Sequence, residues 1–175
     1  MLGLRRGSVQ LVAYNPAWAT LFEAERARLH HALHPDALDI QHIGSTAVPG
    51  LAAKPILDLG IAVADEAIVT ACVPRLTALG YVYQGYRGAD QGHFFDLGPE
   101  HHLTHYLHML LISDSGWWSY LRFRDYLRAY PAARDAYQQL KQDLATQYAA
   151  DRAAYSAAKA TFIQDTLAAS SAAEK

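Results

Sequence analysis

Three groups of residues in this chain have types and spacings suited to chemistry. The first lies in HIGSTAVPGLAAKPILDLGIAV, residues 42–63. An apolar run ends in Gly44-Ser45-Thr46, a turn-rich loop with Pro49, Gly50 and Lys54 follows, and a second apolar run carries one acid, Asp58. Glycine lets backbone approach a ligand closely, and oriented amides beside a hydroxyl suit a phosphate. Lys54 adds a point charge. A carboxylate inside a buried strand is costly unless it is paired, hydrogen-bonded or bound to a metal, so Asp58 demands a partner. The plainer alternative is a structural turn, with Lys54 in water and Asp58 bonded to nearby backbone. The run is not a Walker motif, because the glycine-lysine-hydroxyl order is absent.

The second group is EHHLTHYLH, residues 100–108, with His101, His102, His105 and His108. On a strand, His102, Thr104, Tyr106 and His108 share one face, and His101, Leu103, His105 and Leu107 the other. A straight strand therefore separates His105 from His108, and only a bulge or bend brings both to one ligand. Neutral imidazole is a common metal ligand, but no sulfur ligands accompany these four, which argues against a structural zinc site. The alternative is a polar strand end with hydrogen-bonded histidines. The third group is Arg122, Arg124 and Arg128 in WWSYLRFRDYLR, residues 117–128, which either pair with Asp125 or reach a phosphate. Lys141 and Lys159 have Asp and Tyr neighbours and take the same reading: solvated or ion-paired helix side chains.

These residues need elements to hold them. Ser8 to Ala13 alternates weakly and reads as a short strand. Asn15-Pro16 opens a helix, with an apolar stripe at Trp18, Leu21, Phe22, Ala24, Leu29 and Leu33, stopped by Pro35. Leu38 to Ile43 reads as a strand. Residues 56–63, ILDLGIAV, form a run suited to a central strand covered on both faces. Asp65 caps a helix that runs to about Leu79, before Gly80. Strands follow at Tyr81–Tyr86 and His93–Leu97, joined by the turn RGADQG, and another at Leu103–Ile112. Helices are expected over 117–130 and 132–149, broken at Pro131, and from Asp151 to Ala169.

The 175 residues suit one domain with a substantial core, and half of them are hydrophobic (51%). The net charge of -2 gives no global attraction to extended nucleic acid or an anionic membrane, but leaves room for a local phosphate site. The single cysteine, Cys72, excludes an intramolecular disulfide and reads as a buried small hydrophobe. No apolar segment has the length of a membrane span, and MLGLRRGSVQ has no core of the kind a secretory leader carries. A reducing, cytoplasmic setting is the expectation.

HIGSTAVPGLAAKPILDLGIAV, LTHYLHML, YLRFRDYLRAYP and DRAAYSAAKATFI occur in that order. Together they resemble the GrpB-like family, bacterial proteins whose fold resembles the nucleotidyltransferase superfamily. The resemblance runs from about Val9 to Leu167. It implies one domain over residues 1–170, an α/β (α+β) fold with a mixed sheet, helices packed on it and a helical C-terminal third, and a frayed tail at 171–175. In actinobacteria a similar domain follows dephospho-coenzyme A kinase, which hints at nucleotide-linked biology.

The superfamily pattern implies a Gly-Ser loop that grips phosphate, a strand bearing two acids two residues apart, and a third acid on a neighbouring strand. Gly44 and Ser45 match the phosphate-gripping pair, with Thr46 and Lys54 beside them. Asp58 matches the first acid. The second position is Gly60, and the third acid has no clear match, although Asp96 is near. His105 and His108 stand where the family shows a histidine-rich strand, with Tyr106 in place of its middle histidine. The expectation is a divalent metal, Mg, Mn or Zn, on Asp58, His105 and His108, which would also carry the catalysis, and a nucleotide or other phosphorylated small molecule on Gly44, Ser45, Thr46 and Lys54. Three functions follow from this set: metal-dependent transfer of a nucleotidyl or related phosphoryl group, a non-catalytic nucleotide- or metabolite-binding module, and a metal-dependent hydrolase using the histidines.

Overall fold

Period-two alternation along the apolar strands gives this protein a sheet with two differently covered faces. The computed structural model describes residues 2–173. Helix α1 (Ala17–Leu33) leads into β1 (Asp39–Ile43), a single 3-10 turn (Ser45–Ala47) and β2 (Leu57–Val63). Then come α2 (Glu66–Ala78), β3 (Tyr81–Tyr86), β4 (His93–Leu97) and β5 (His105–Leu111). The last third is α3 (Ser115–Ala129), α4 (Pro131–Gln147), α5 (Arg152–Ala158) and α6 (Ala160–Ala173). The five strands form one mixed sheet in the order β1-β2-β5-β4-β3, with β2 and β5 parallel and the other neighbours antiparallel. The expected mixed sheet and helical C-terminal third are both present.

One face carries Leu57, Leu59, Ile61 and Val63 of β2 with Leu107 and Met109 of β5. It packs on Trp18, Phe22, Leu29 and Leu33 of α1 and on Val69, Cys72 and Leu76 of α2. This is the main core, and Cys72 sits in it as a buried apolar residue. Each such side chain contributes about 1.5–3 kcal/mol when fully buried. On the opposite face, Ala62 and Leu110 meet Trp117 of α3, Phe94 and Tyr106 pack with Leu4, and a cavity opens between these contacts. Of the α1 stripe, Leu21 is exposed and Glu25 is buried in its place, because Glu25 accepts from Tyr81 Oη at 2.7 Å and pairs with Arg28.

The caps follow the local signals. Asn15 Oδ1 accepts from the Ala17 amide, Asp65 Oδ1 from Ile68 and Asp151 Oδ1 from Ala154, each at 3.0 Å. Three expectations change. Residues 8–13 make no strand: Val12 only bridges Ala53, because the segment crosses the loop before β2 rather than joining the sheet edge. The single helix expected from Asp151 is two, interrupted at Lys159, whose amide bonds at i−3 instead of i−4. No proline or glycine marks that break. Residues 171–173, expected in a frayed tail, continue α6, which runs to Ala173; residues 174–175 of that expected tail lie outside the described residues. Among the described residues no helix is long and apolar enough to cross a membrane.

Candidate functional site: a cationic cavity over β2 and β5

Register places the site. Asp58 of β2 lies opposite Tyr106 of β5 and Ile43 of β1, and Gly60 lies opposite His108. Asp58, Tyr106 and His108 therefore share the face turned away from the main core. They floor a cavity of about 370 Å³ roofed by α3 to α6. Gly44, Ser45 and Lys54 line the same cavity, so five of the expected site residues are brought together: these three with Asp58 and His108.

The Gly-Ser turn is shaped by Asp58 itself. Gly44 has φ +68°, and a Cβ there would come within 2.5 Å of Asp58 Oδ2. Only glycine both adopts this backbone and leaves room for the carboxylate. Ser45 Oγ accepts from Lys141 Nζ at 3.1 Å, and the same ammonium donates to the Ala52 carbonyl. Lys141 thus ties the turn to the loop that carries Lys54.

Two expected residues lie elsewhere. Thr46 is 1% exposed and its hydroxyl is bonded to His42 Nε2 at 2.9 Å, a ring stacked on Phe22. It fixes the turn to the core and does not reach the cavity. His105 is on the opposite face of β5, with its ring beside Tyr81 and Nδ1 bonded to Thr104 Oγ1 at 2.9 Å. The strand has no bulge between His105 and His108, so the alternation keeps them apart. The trio of Asp58, His105 and His108 around one ion is not assembled. The third-acid candidate, Asp96, is fully buried and held by Arg6 at 2.8 Å and by Gln84.

The cavity carries cations that sequence reasoning assigned to solvent or passed over. Lys141 of α4, Lys159 at the end of α5, Arg152 of α5 and Arg87 from the β3–β4 hairpin all line it with Lys54. Lys141 is only 2% exposed. The ammonium and guanidinium groups rest on aromatic faces: Lys54 near Tyr106 and Tyr155, Lys159 at 4.3 Å from Tyr155, Arg152 at 4.6 Å from Tyr106 and Arg87 at 3.6 Å from Phe94. Such contacts stabilise a cation without using up its N–H donors. One signal was present in the chain. Tyr137 and Lys141, and again Tyr155 and Lys159, stand four apart on successive helices, so each pair shares a helix face.

Burial dominates the electrostatics. It pushes the Lys54 ammonium down to about 8, helped by Arg152 and opposed by Asp58. It pushes Lys141 and Lys159 down to about 7, with neighbouring lysines adding to the effect. Burial raises the Asp58 carboxyl, and Lys54, Arg152, Lys159 and Lys141 pull it back. Among the described residues no ion pair joins Asp58 to any of these cations; they face it across open space. His108 Nδ1 lies 3.0 Å from the Gln91 carbonyl and 3.2 Å from Tyr120 Oη, and burial holds the ring neutral, down to about 4. Gln91 is placed by the hairpin tip, which packs against Gly116, where a Cβ would meet the Ala89 carbonyl oxygen at 2.5 Å.

The donor set does not fit a divalent metal. Magnesium needs several oxygen ligands in octahedral array, and zinc needs three or four nitrogen, sulfur or oxygen donors. Here Asp58 stands among ammonium groups, and among the described residues no cluster of three or more His, Cys, Asp or Glu is placed to hold an ion. The position two residues beyond Asp58 is crowded as well. A Cβ on Gly60 would lie 3.1 Å from Trp117 Cζ3, so a side chain there fits only if this buried indole shifts by a few tenths of an ångström.

Known proteins share this architecture. A crystal structure of the conserved protein GrpB from Enterococcus faecalis is similar with a TM-score of 0.83 and 33% identity, over 92% of this chain and 96% of that one. A UPF0157 protein of Halalkalibacterium halodurans is 36% identical over 91% of this chain and 81% of its own length. The glutamate-rich protein GrpB of Alkalihalophilus pseudofirmus is 32% identical over 95% of this chain and 98% of its own. The family model described as GrpB protein matches residues 8–169, and the chain belongs to the GrpB family.

Proposed function

We propose that this protein binds a nucleotide or closely related phosphorylated small molecule in the cavity over β2 and β5, and transfers a nucleotidyl or related phosphoryl group from it to a small acceptor. One observation carries the reading: Lys54, Lys141, Lys159 and Arg152 converge on a single cavity that they share with Asp58 and Ser45. Phosphate is the common ligand whose charge and acceptor oxygens match such a set. Asp58 is the group suited to take the proton from an attacking hydroxyl, since it faces the cavity without an ion-pair partner and burial raises its basicity. Ser45 Oγ, which accepts from Lys141 Nζ, can donate its own O–H to an oxygen of a bound phosphate.

The test is thermal unfolding with a panel of nucleoside mono-, di- and triphosphates, sugar phosphates and inorganic tripolyphosphate. A ligand at 100 times its Kd stabilises the fold by about 2.7 kcal/mol. A rise in Tm with at least one phosphorylated compound, lost in Lys159→Met, is expected; no rise with any of them overturns the reading. A second reading is that the cavity binds without turnover, and the indole over Gly60 supports it. Release of pyrophosphate or phosphate from the bound compound, abolished in Asp58→Asn while binding persists, separates transfer from mere binding.

A further inference from the structure

Resting on the reading of the cavity as a phosphate site, we propose that its ligand is a metal-free polyphosphate, and that the lysines take the place a divalent ion would otherwise hold. The charge count supports a polyphosphate. Five cationic side chains line the cavity, Lys54, Arg87, Lys141, Arg152 and Lys159, against two carboxylates, Asp58 and Asp90. A monophosphate neutralises at most two positive charges, so a matching ligand carries three or more negative charges on adjacent phosphates. The cations come from the loop before β2, the β3–β4 hairpin, α4 and α5, so they surround the space rather than forming one surface stripe.

The placement of the donors argues for a metal-free form. Lys54, Lys159 and Arg152 lie near aromatic rings and have no side-chain hydrogen bond among the described residues, so their N–H groups remain free for oxygen acceptors. A triphosphate already wrapped around magnesium has lost two negative charges and several lone pairs to the ion. It would bring a dication into a space lined by ammonium groups, where only Asp58 and Asp90 attract it. In this arrangement Asp58 repels the phosphates and is not their bridge through a metal. That sets the sign of its effect on affinity.

Calorimetric titration of the full chain with ATP and with inorganic tripolyphosphate, at constant ionic strength, tests this in EDTA and in excess MgCl2 or MnCl2. The Kd in EDTA is expected to be at least threefold lower than with the divalent ion. Asp58→Asn is expected to tighten binding in EDTA by threefold or more, and Lys159→Met to weaken it tenfold or more. Far-ultraviolet circular dichroism of each variant checks that it is folded. Binding that is equal or tighter with the divalent ion, or that is weakened by Asp58→Asn, overturns the proposal while leaving a phosphate site standing. Failure of both probes in both buffers overturns it, and if other phosphorylated compounds still raise Tm, the phosphate reading survives alone.

Discussion

At the scale of single residues, the hydroxyl of Thr46 is bonded to His42 Nε2 at 2.9 Å and does not face the cavity. This bond holds His42 against the core, and both residues are buried. Thr46→Val keeps the volume and removes the partner of a buried imidazole, so a loss of about 1–3 kcal/mol in urea unfolding is expected, with phosphate-ligand affinity unchanged. The lysines give a pH signature. Lys141 and Lys159, pushed down to about 7, and Lys54, to about 8, lie below their ordinary 10.5, so the empty protein sheds protons there that the unfolded chain keeps. Stability of the empty protein therefore gains from these groups as pH rises from about 7 towards 10. A bound polyanion stabilises the protonated forms, so ligand-induced Tm shifts should shrink between pH 7 and pH 9. Titration of the Tm shift at both pH values checks this, and an unchanged shift means that the lysines do not face the ligand.

At the scale of elements, strand alternation and one helix decide what the site lacks. β5 has no bulge between His105 and His108, so the two rings stay on opposite faces whatever their chemistry. α3 sets Trp117 over Gly60, and a Cβ there would press on the indole at 3.1 Å. Gly60→Asp inserts a volume and a charge into this packed place. A loss of at least about 2 kcal/mol in denaturant unfolding is expected from overpacking and carboxylate burial, with no gain in Mg²⁺ affinity by calorimetry. Stable Gly60→Asp protein that binds magnesium would mean that α3 yields and that the acid pattern is repairable.

Across the whole molecule, the two buried imidazoles set the acid limit of the fold. His42, in the core between Phe22 and Thr46, and His108, in the cavity floor, are both held down to about 4 by burial, with nearby arginines adding to the effect. The unfolded chain takes up these protons near 6.5 and the folded protein does not. Stability should therefore fall as pH drops from about 6.5 to about 4, by up to about 3 kcal/mol for each ring. Urea unfolding at pH 7, 5.5 and 4.5 checks the slope, and His108→Gln should flatten part of it. Glu25 and Asp125, held below their ordinary range by arginine and tyrosine hydrogen bonds, add losses in the same direction at lower pH.

Local order was written in the chain. The near-continuous apolar run ILDLGIAV and the strand-like LTHYLHML marked the central strands, and the caps at Asn15, Asp65 and Asp151 marked helix starts. Strand alternation separated His105 from His108, and the apolar setting of Asp58 announced that it needed company. Periodicity describes neighbours along the backbone, however, and the company came from far away. Lys141 meets Ser45 across 96 positions, and Arg152 and Lys159 enter from α5, where Lys159 reads from its neighbours as a solvated or ion-paired side chain. The crowded second-acid position and the lowered lysines likewise depend on burial between segments, a property of three-dimensional packing that no local pattern encodes. The sequence by itself determined the strands, their faces and the acid; tertiary packing decided that the acid is surrounded by ammonium groups rather than by ligands for a metal.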